Sequence, residues 1–278
     1  MTEANRNLLV RIASAAVLVP ILLVAIFWRR PEGWIVGVHV AVAVALVELY
    51  WITLRDDPVW MRVAGVAGGL LVSGTMAWCP RADALLVALL VTTLAGATLH
   101  LLRFGELPTA ASRMALMVFG QLYVPLLLTP IALMKRFPEG SDWILLTLML
   151  TFFGDTGAYA AGRLFGRHKL YPAISPGKTV EGAVGGLLAS FGAGALAKLW
   201  YMPQIGWAHV ALITIPGSAL AMCGDLVESM IKRAYGVKDS GKAIPGHGGL
   251  LDRIDALLFA TPYVYLYAVY VLHIGPVK

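Results

Sequence analysis

Nine stretches of this chain, 12–28, 34–54, 60–78, 84–102, 114–134, 143–165, 180–200, 207–223 and 256–274, are apolar runs with few charges. Crossing a bilayer core of ~30 Å takes about 20 helical residues. Inside that core every backbone N–H and C=O must find its partner within the spanning structure. The expected fold is therefore an all-α integral membrane protein of about nine transmembrane helices, a single polytopic domain over 1–278. Only 14% of the residues are charged and the mean hydropathy is +0.75, against about 25% charged residues in soluble domains. Trp28, Trp34, Trp60, Trp78, Trp143, Trp200 and Trp207 fall at or near the ends of the runs, where an amphipathic indole is favoured. The first run is followed by Trp28, Arg29 and Arg30 instead of a small-residue cleavage site, so a retained first span is expected.

Nine spans make the connections alternate between the two sides of the membrane. On that division 15 of the 22 Lys and Arg residues share the side of the N-terminus, which the positive-inside rule makes cytoplasmic. A multi-pass protein of the cell's inner membrane follows. The net charge of +6 suits anionic headgroups and phosphates better than nucleic acid. Cys79 and Cys223 are too few and too far apart for a disulfide framework or a thiolate metal site.

One polar segment stands out against this background. Residues 229–255, SMIKRAYGVKDSGKAIPGHGGLLDRID, place Lys232, Arg233, Lys238, Lys242 and Arg253 beside Asp239, Asp252 and Asp255, with His247 among glycines. Cations at this density neutralise phosphate oxygens, and carboxylates fit beside phosphate when a divalent cation lies between them. Asp225, Glu228, Ser229 and Lys232 are spaced for one helical face, as are Asp252 and Asp255. The Pro245 to Gly249 run can bend sharply and bring backbone N–H groups close to an anion. A loop that only sets topology would need Lys and Arg but not interleaved Asp, His and Gly.

A second polar cluster occupies 166–182, GRHKLYPAISPGKTVEG. A Walker A loop is excluded, because Pro172 stands where its first glycine belongs and no strand is expected before it. Two readings remain for Gly177, Lys178 and Thr179: a turn that offers donors, a hydroxyl and a cation to phosphate at a helix start, or an ordinary cap with Glu181 in the first turn. Inside the sixth run Asp155, Tyr159 and Arg163 follow at four-residue spacing. A carboxylate there costs at least ~2.5 kcal/mol unless it is paired or faces a polar cavity. Asp155 is thus read as a cavity wall, with an interhelix hydrogen bond as the other reading. Glu48 and His100, near the ends of their runs, read as snorkelling or structural hydrogen-bonding groups.

The pattern of Ser229, Ile231, Lys232, Arg233, Lys238, Asp239, Gly241, Ile244, Pro245, His247, Gly248, Gly249, Leu250, Asp252, Arg253, Ile254 and Asp255 resembles the signature of the phosphatidate cytidylyltransferase (CDP-diacylglycerol synthase) family. SPGKTVEG resembles that family's second motif, which carries over Ser175, Lys178, Thr179, Glu181 and Gly182. The resemblance implies that CTP and phosphatidic acid give CDP-diacylglycerol and pyrophosphate, with Mg2+ and with K+ as the candidate second ion. On this reading Asp225 and Asp252 hold the metal, with Asp255 and Asp239 beside them. Lys178, Lys232, Arg233 and Lys238 meet the triphosphate or the lipid phosphate, and Ser229 and Asp155 belong to the substrate site. Arg253 orients a carboxylate or a phosphate, and His247 contacts the nucleotide or braces the glycine turn. The site is expected in cytoplasmic-side loops and a polar cavity, in an assembly that similar proteins form as homodimers. The nearest alternative is a CTP-dependent lipid kinase of the polyprenol type. An ion-coupled transporter centred on Asp155 would leave the 229–255 segment without a role.

Overall fold

The computed structural model describes residues 3–275 apart from Phe104, Pro245 and His247, with backbone alone at 3–13 and at Ala15. Its helices are α1 (Glu3–Phe27), α2 (Pro31–Thr53), α3 (Val59–Trp78), α4 (Ala82–Leu102), α5 (Leu107–Met134), α6 (Gly140–Phe165), α7 (Val180–Trp200), α8 (Trp207–Ala234) and α9 (Leu251–Tyr270). Each expected span lies on one of them. Among the described residues seven, α2 to α8, are long and apolar enough to cross a membrane, making this a multi-pass membrane protein. The described side-chain-bearing part of α1 is a shorter apolar stretch, Ala16–Phe27, and α9 opens on Asp252, Arg253 and Asp255.

The expectation of helices alone needs correction at one place. Between α6 and α7 the chain forms an antiparallel hairpin of β1 (Lys169–Tyr171) and β2 (Ser175–Thr179), pairing Lys169 with Thr179 and Tyr171 with Ser175. Ser175–Thr179 is therefore extended chain and not the turn read from its Gly-Lys-Thr sequence. Pro172 and Pro176 conceal the hairpin from a sequence reading, since proline usually argues against a strand. A two-stranded ribbon is all edge, where proline is tolerated. The span read as 207–223 also continues as helix to Ala234, so the first part of the polar segment is helical.

Two compact units make up the chain. One comprises Met1–Leu133 and Val237–Arg253, the other Met134–Gly236 and Ile254–Lys278. In the first, α2 buries Ile35, Val42, Leu46 and Leu49. Polar bonds tie it down where lipid and helix are equally apolar and give little drive to associate. Trp34 Nε1 donates to the Ile131 carbonyl at 3.0 Å and the Tyr50 hydroxyl to the Met117 carbonyl at 2.7 Å. The Tyr50 ring needs bare backbone on either side: a Cβ at Gly65 or Gly120 would come within 2.7 Å or 2.6 Å of it. Leu86, Val87, Leu90 and Leu94 on α4 remain exposed, a face suited to lipid.

In the second unit α6 and α7 form the most extensive helix pair. Small residues allow it. A Cβ on Gly157 would collide with Ala189 and lie 2.8 Å from the Gly185 carbonyl, and one on Gly185 would collide with Ala161. Ser190 Oγ donates across the interface to the Leu150 carbonyl at 2.7 Å. This is the small-residue packing that lets membrane helices approach closely. The path of the chain then sets the functional end. The hairpin joins the C-terminus of α6 to the N-terminus of α7, and the C-terminal half of α8 returns toward the same end. Gly185→Leu is expected to wedge α6 from α7 at a cost of about 1–3 kcal/mol, the range for overpacking. The check is a lowered Tm in detergent, with Gly192→Leu, at a position where a Cβ meets nothing within 4 Å, unchanged.

Candidate active site

A cavity of about 450 Å3 opens within the second unit. Its wall is assembled from α6 (Asp155, Tyr159, Arg163), β2 (Ser175, Gly177, Lys178, Thr179), the start of α7 (Gly182) and α8 (Met222, Asp225). Asp155 is thus a cavity residue, the first of the two readings given to it. From Asp155 to Arg163 the polar stripe climbs about 12 Å at 1.5 Å per residue, and Arg163 Nη1 donates to the Tyr159 hydroxyl at 3.0 Å.

An ion pair joins the second polar stretch to the helix that leads into the first. Lys178 Nζ lies 2.6 Å from Asp225 Oδ2, and Asp225 Oδ1 accepts from Ser229 Oγ at 3.3 Å. Strand β2 carries Lys178 toward α8 because its alternating side chains turn to one face of the hairpin. Asp255 joins the cluster, feeling the charges of Asp225, Asp155 and Lys232. The approach of α9 that allows this depends on Gly224, where a Cβ would collide with the Asp255 carbonyl. Three carboxylates, Asp155, Asp225 and Asp255, thus belong to one charge cluster, with Lys178 paired directly to Asp225.

Other predicted residues have different surroundings. Thr179 is buried and accepts from Gly182 N at 3.1 Å, so the ordinary capping reading holds for its hydroxyl while it also lines the cavity. Glu181 accepts from the backbone N–H groups of Arg167 and His168 at 3.1 Å and 3.2 Å and meets His168 Nδ1 at 2.6 Å. It pins the base of the hairpin. Lys232 is buried against Glu228 Oε2 at 2.5 Å, a partner with no assigned role in the sequence reading. Arg233 is exposed at the end of α8.

The rest of the polar segment belongs to the first unit. Lys238, Asp239, Lys242 and Arg253 are exposed, and His247 lies outside the described residues. The bend is real: Ile244 N donates to the Gly248 carbonyl at 2.9 Å, and Gly246 and Gly248 have φ of 75° and 86°, values that favour glycine. Asp252 and Asp255 both lie on α9. The Asp252 carboxylate accepts from Ser240 N at 2.9 Å and from Gly249 N at 3.0 Å. Glu48, on α2, accepts from three donors of the same segment. Its sequence signal was available, an acidic residue within an apolar run. Ser240 had no such signal, being an unremarkable serine among charged neighbours.

Among the described residues no group of three or more His, Cys, Asp or Glu side chains could hold a metal ion unaided. The donor chemistry nevertheless suits Mg2+, a hard cation that keeps several waters and is commonly bound by one or two carboxylates together with substrate phosphates. Asp155 and Asp225 on the cavity wall supply two such carboxylates.

Comparison with known proteins sets this site in context. The curated phosphatidate cytidylyltransferase of Staphylococcus saprophyticus is 48% identical over 124 residues, 45% of this chain and 48% of that relative. The protein of the same name from Staphylococcus aureus is 46% identical over 125 residues, again 45% and 48% of the two chains. The matched stretch thus spans about half the length of these relatives. A family profile, described as the Cytidylyltransferase family, matches residues 9–271. With nearly the whole sequence covered by that profile, the chain belongs to the cytidylyltransferase family.

Proposed function

We propose that this protein is a phosphatidate cytidylyltransferase of the inner membrane, joining CTP to phosphatidic acid with its site on the cytoplasmic side. The observation that carries the reading is the Lys178–Asp225 pair in the wall of the α6–β2–α8 cavity. A lysine suited to phosphate there lies beside a carboxylate suited to a metal ion, next to apolar helices where a lipid substrate is at home. The relatives named above carry the same activity in their names. The cytoplasmic orientation rests on the distribution of Lys and Arg.

In the proposed reaction an oxygen of the lipid phosphate attacks the α-phosphorus of CTP. A new P–O bond forms, the bond to the bridging oxygen of the β-phosphate breaks, and that oxygen leaves on pyrophosphate. A phosphate monoester is largely ionised near neutrality, so little proton transfer is required and the rate depends on positioning and charge cancellation. Lys178 and Arg163, with Arg233, Lys238 and Lys242 from the polar segment, bind phosphate oxygens. Asp225, Asp252 and Asp255 are the residues proposed to hold Mg2+, with Asp155 and Asp239 as further carboxylates and K+ as the second ion. Mg2+, when bound with the nucleotide, supplies charge neutralisation on the departing pyrophosphate. Ser175 and Ser229 offer hydroxyls to the substrates or their carboxylate partners.

Incubating detergent-solubilised protein with CTP, phosphatidic acid and Mg2+ is expected to release pyrophosphate and form CDP-diacylglycerol. Production of CDP and a phosphorylated alcohol from a polyprenol would instead assign a kinase. In the same assay Lys178→Ala is expected to lower kcat about 10²–10³-fold, the loss seen when a preorganised electrostatic contact is removed. Wild-type turnover in that variant would remove the pair from the mechanism. Asp225→Asn keeps an acceptor for Ser229 and is expected to abolish Mg2+-dependent turnover while the protein still purifies as a monodisperse species. Undiminished Mg2+-dependent activity would count against its metal role.

A further inference from the structure

Glu48 is 6% exposed, near the C-terminal end of α2. Lipid would make an ionisable group there costly, yet both oxygens of this one accept hydrogen bonds. Its Oε1 accepts from Leu250 N at 3.0 Å, and its Oε2 accepts from Leu251 N at 2.7 Å and from Ser240 Oγ at 3.1 Å. Leu251 is the first residue of α9, so a carboxylate 203 positions upstream satisfies an N–H group that the start of a helix leaves without an intrahelical partner. Opposite charge at the helix start is favourable as well.

The polar segment is folded around this carboxyl group. A Cβ on Gly241 would lie 2.5 Å from Glu48 Oε1, and one on Gly249 would lie 2.7 Å from Oε2. Both glycines therefore leave room for the acid as much as for the bend. Ser240 passes the constraint onward, since its N–H donates to Asp252 Oδ2 at 2.9 Å and its Oγ accepts from Asp252 N at 3.3 Å. Glu48, Ser240 and Asp252 form one continuous hydrogen-bonded chain from a membrane helix to a residue of the proposed metal site.

We propose that Glu48 is a positioning residue for the nucleotide: it holds segment 238–252 in the single conformation that presents Lys238, Asp239, Lys242 and Asp252. This rests on the reaction proposed above. In Glu48→Gln one oxygen becomes an NH2 group, which must face the N–H of either Leu250 or Leu251, donor against donor. The segment then samples other conformations, and binding nucleotide has to reorder it. If the ordered fraction falls to a tenth, the apparent affinity falls about ten-fold.

The test compares wild type, Glu48→Gln and Ser240→Ala by hydrogen exchange of peptides covering 238–252 and by steady-state kinetics in CTP. Both variants are expected to lose protection in those peptides while α2 and α3 stay protected. In Glu48→Gln the KM for CTP is expected to rise about ten-fold. A partly unfolded population would lower the apparent kcat at an unchanged KM, so a KM effect separates positioning from mere folding. Wild-type KM and protection in Glu48→Gln would overturn the proposal, as would loss of protection throughout α2 and α3. Should Glu48→Gln fail to insert, Ser240→Ala removes only a hydroxyl and decides by the same two readouts. A wild-type protein without CTP-dependent turnover would sink the reaction, while the exchange comparison still decides whether Glu48 orders the segment.

Discussion

Placing charge in a medium that solvates it poorly is the constraint on which this structure depends. Charged groups are very costly in hydrocarbon unless paired or hydrogen-bonded, and several buried or half-buried groups of this chain meet that requirement with a partner. Asp225 has Lys178 and Ser229, Lys232 has Glu228, and Glu48 has two backbone N–H groups and a serine hydroxyl. Asp57, also buried, meets Arg113 at 3.3 Å with His100 at 3.9 Å. Lys178 with Asp225, Glu48 with its donors and Asp57 with Arg113 join distant parts of the chain and so help to organise the fold, whereas Lys232 with Glu228 and Ser229 with Asp225 are four-residue contacts within α8.

Small residues complement the charges. The α6–α7 contact brings two backbones together through Gly157, Gly185 and their neighbours, which leaves the hairpin no freedom to drift from the α6 terminus. Glu181 then fastens the hairpin base by accepting from Arg167 and His168. Lys178 reaches Asp225 because these two devices hold β2 in place. A cation on an untethered loop would have to be ordered whenever it bound a ligand, at a cost in binding free energy.

Much of this was legible in the residues. Uninterrupted apolar runs announce helices because the bilayer permits few other structures, and each expected span has its helix. The motif residues Ser175, Lys178, Thr179 and Asp225, with Asp155, share the cavity wall, and the pairing of Asp252 with Asp255 on one helix followed from their spacing. Two features were not legible. The hairpin carries two prolines that disguise it, and Ser240 looks like any other serine among charged neighbours, although its Oγ donates to Glu48 and its N–H to Asp252. The continuation of α8 past residue 223 was announced only by the helical spacing of Asp225, Glu228, Ser229 and Lys232.

By itself, then, the order of amino acids determined a membrane protein of many helices, two polar stretches that mix cations, carboxylates and glycines, and membership of the cytidylyltransferase family. Local rules suffice for those properties: helix length against bilayer thickness, and charge type against ligand charge. Tertiary structure alone decided which of the charged residues face one another. It paired Lys178 with Asp225 and set Glu48 under the glycine bend. Such pairings depend on which helix faces approach, and that is settled by small-residue packing and by the need to compensate every buried charge, neither of which has a fixed spacing along the chain.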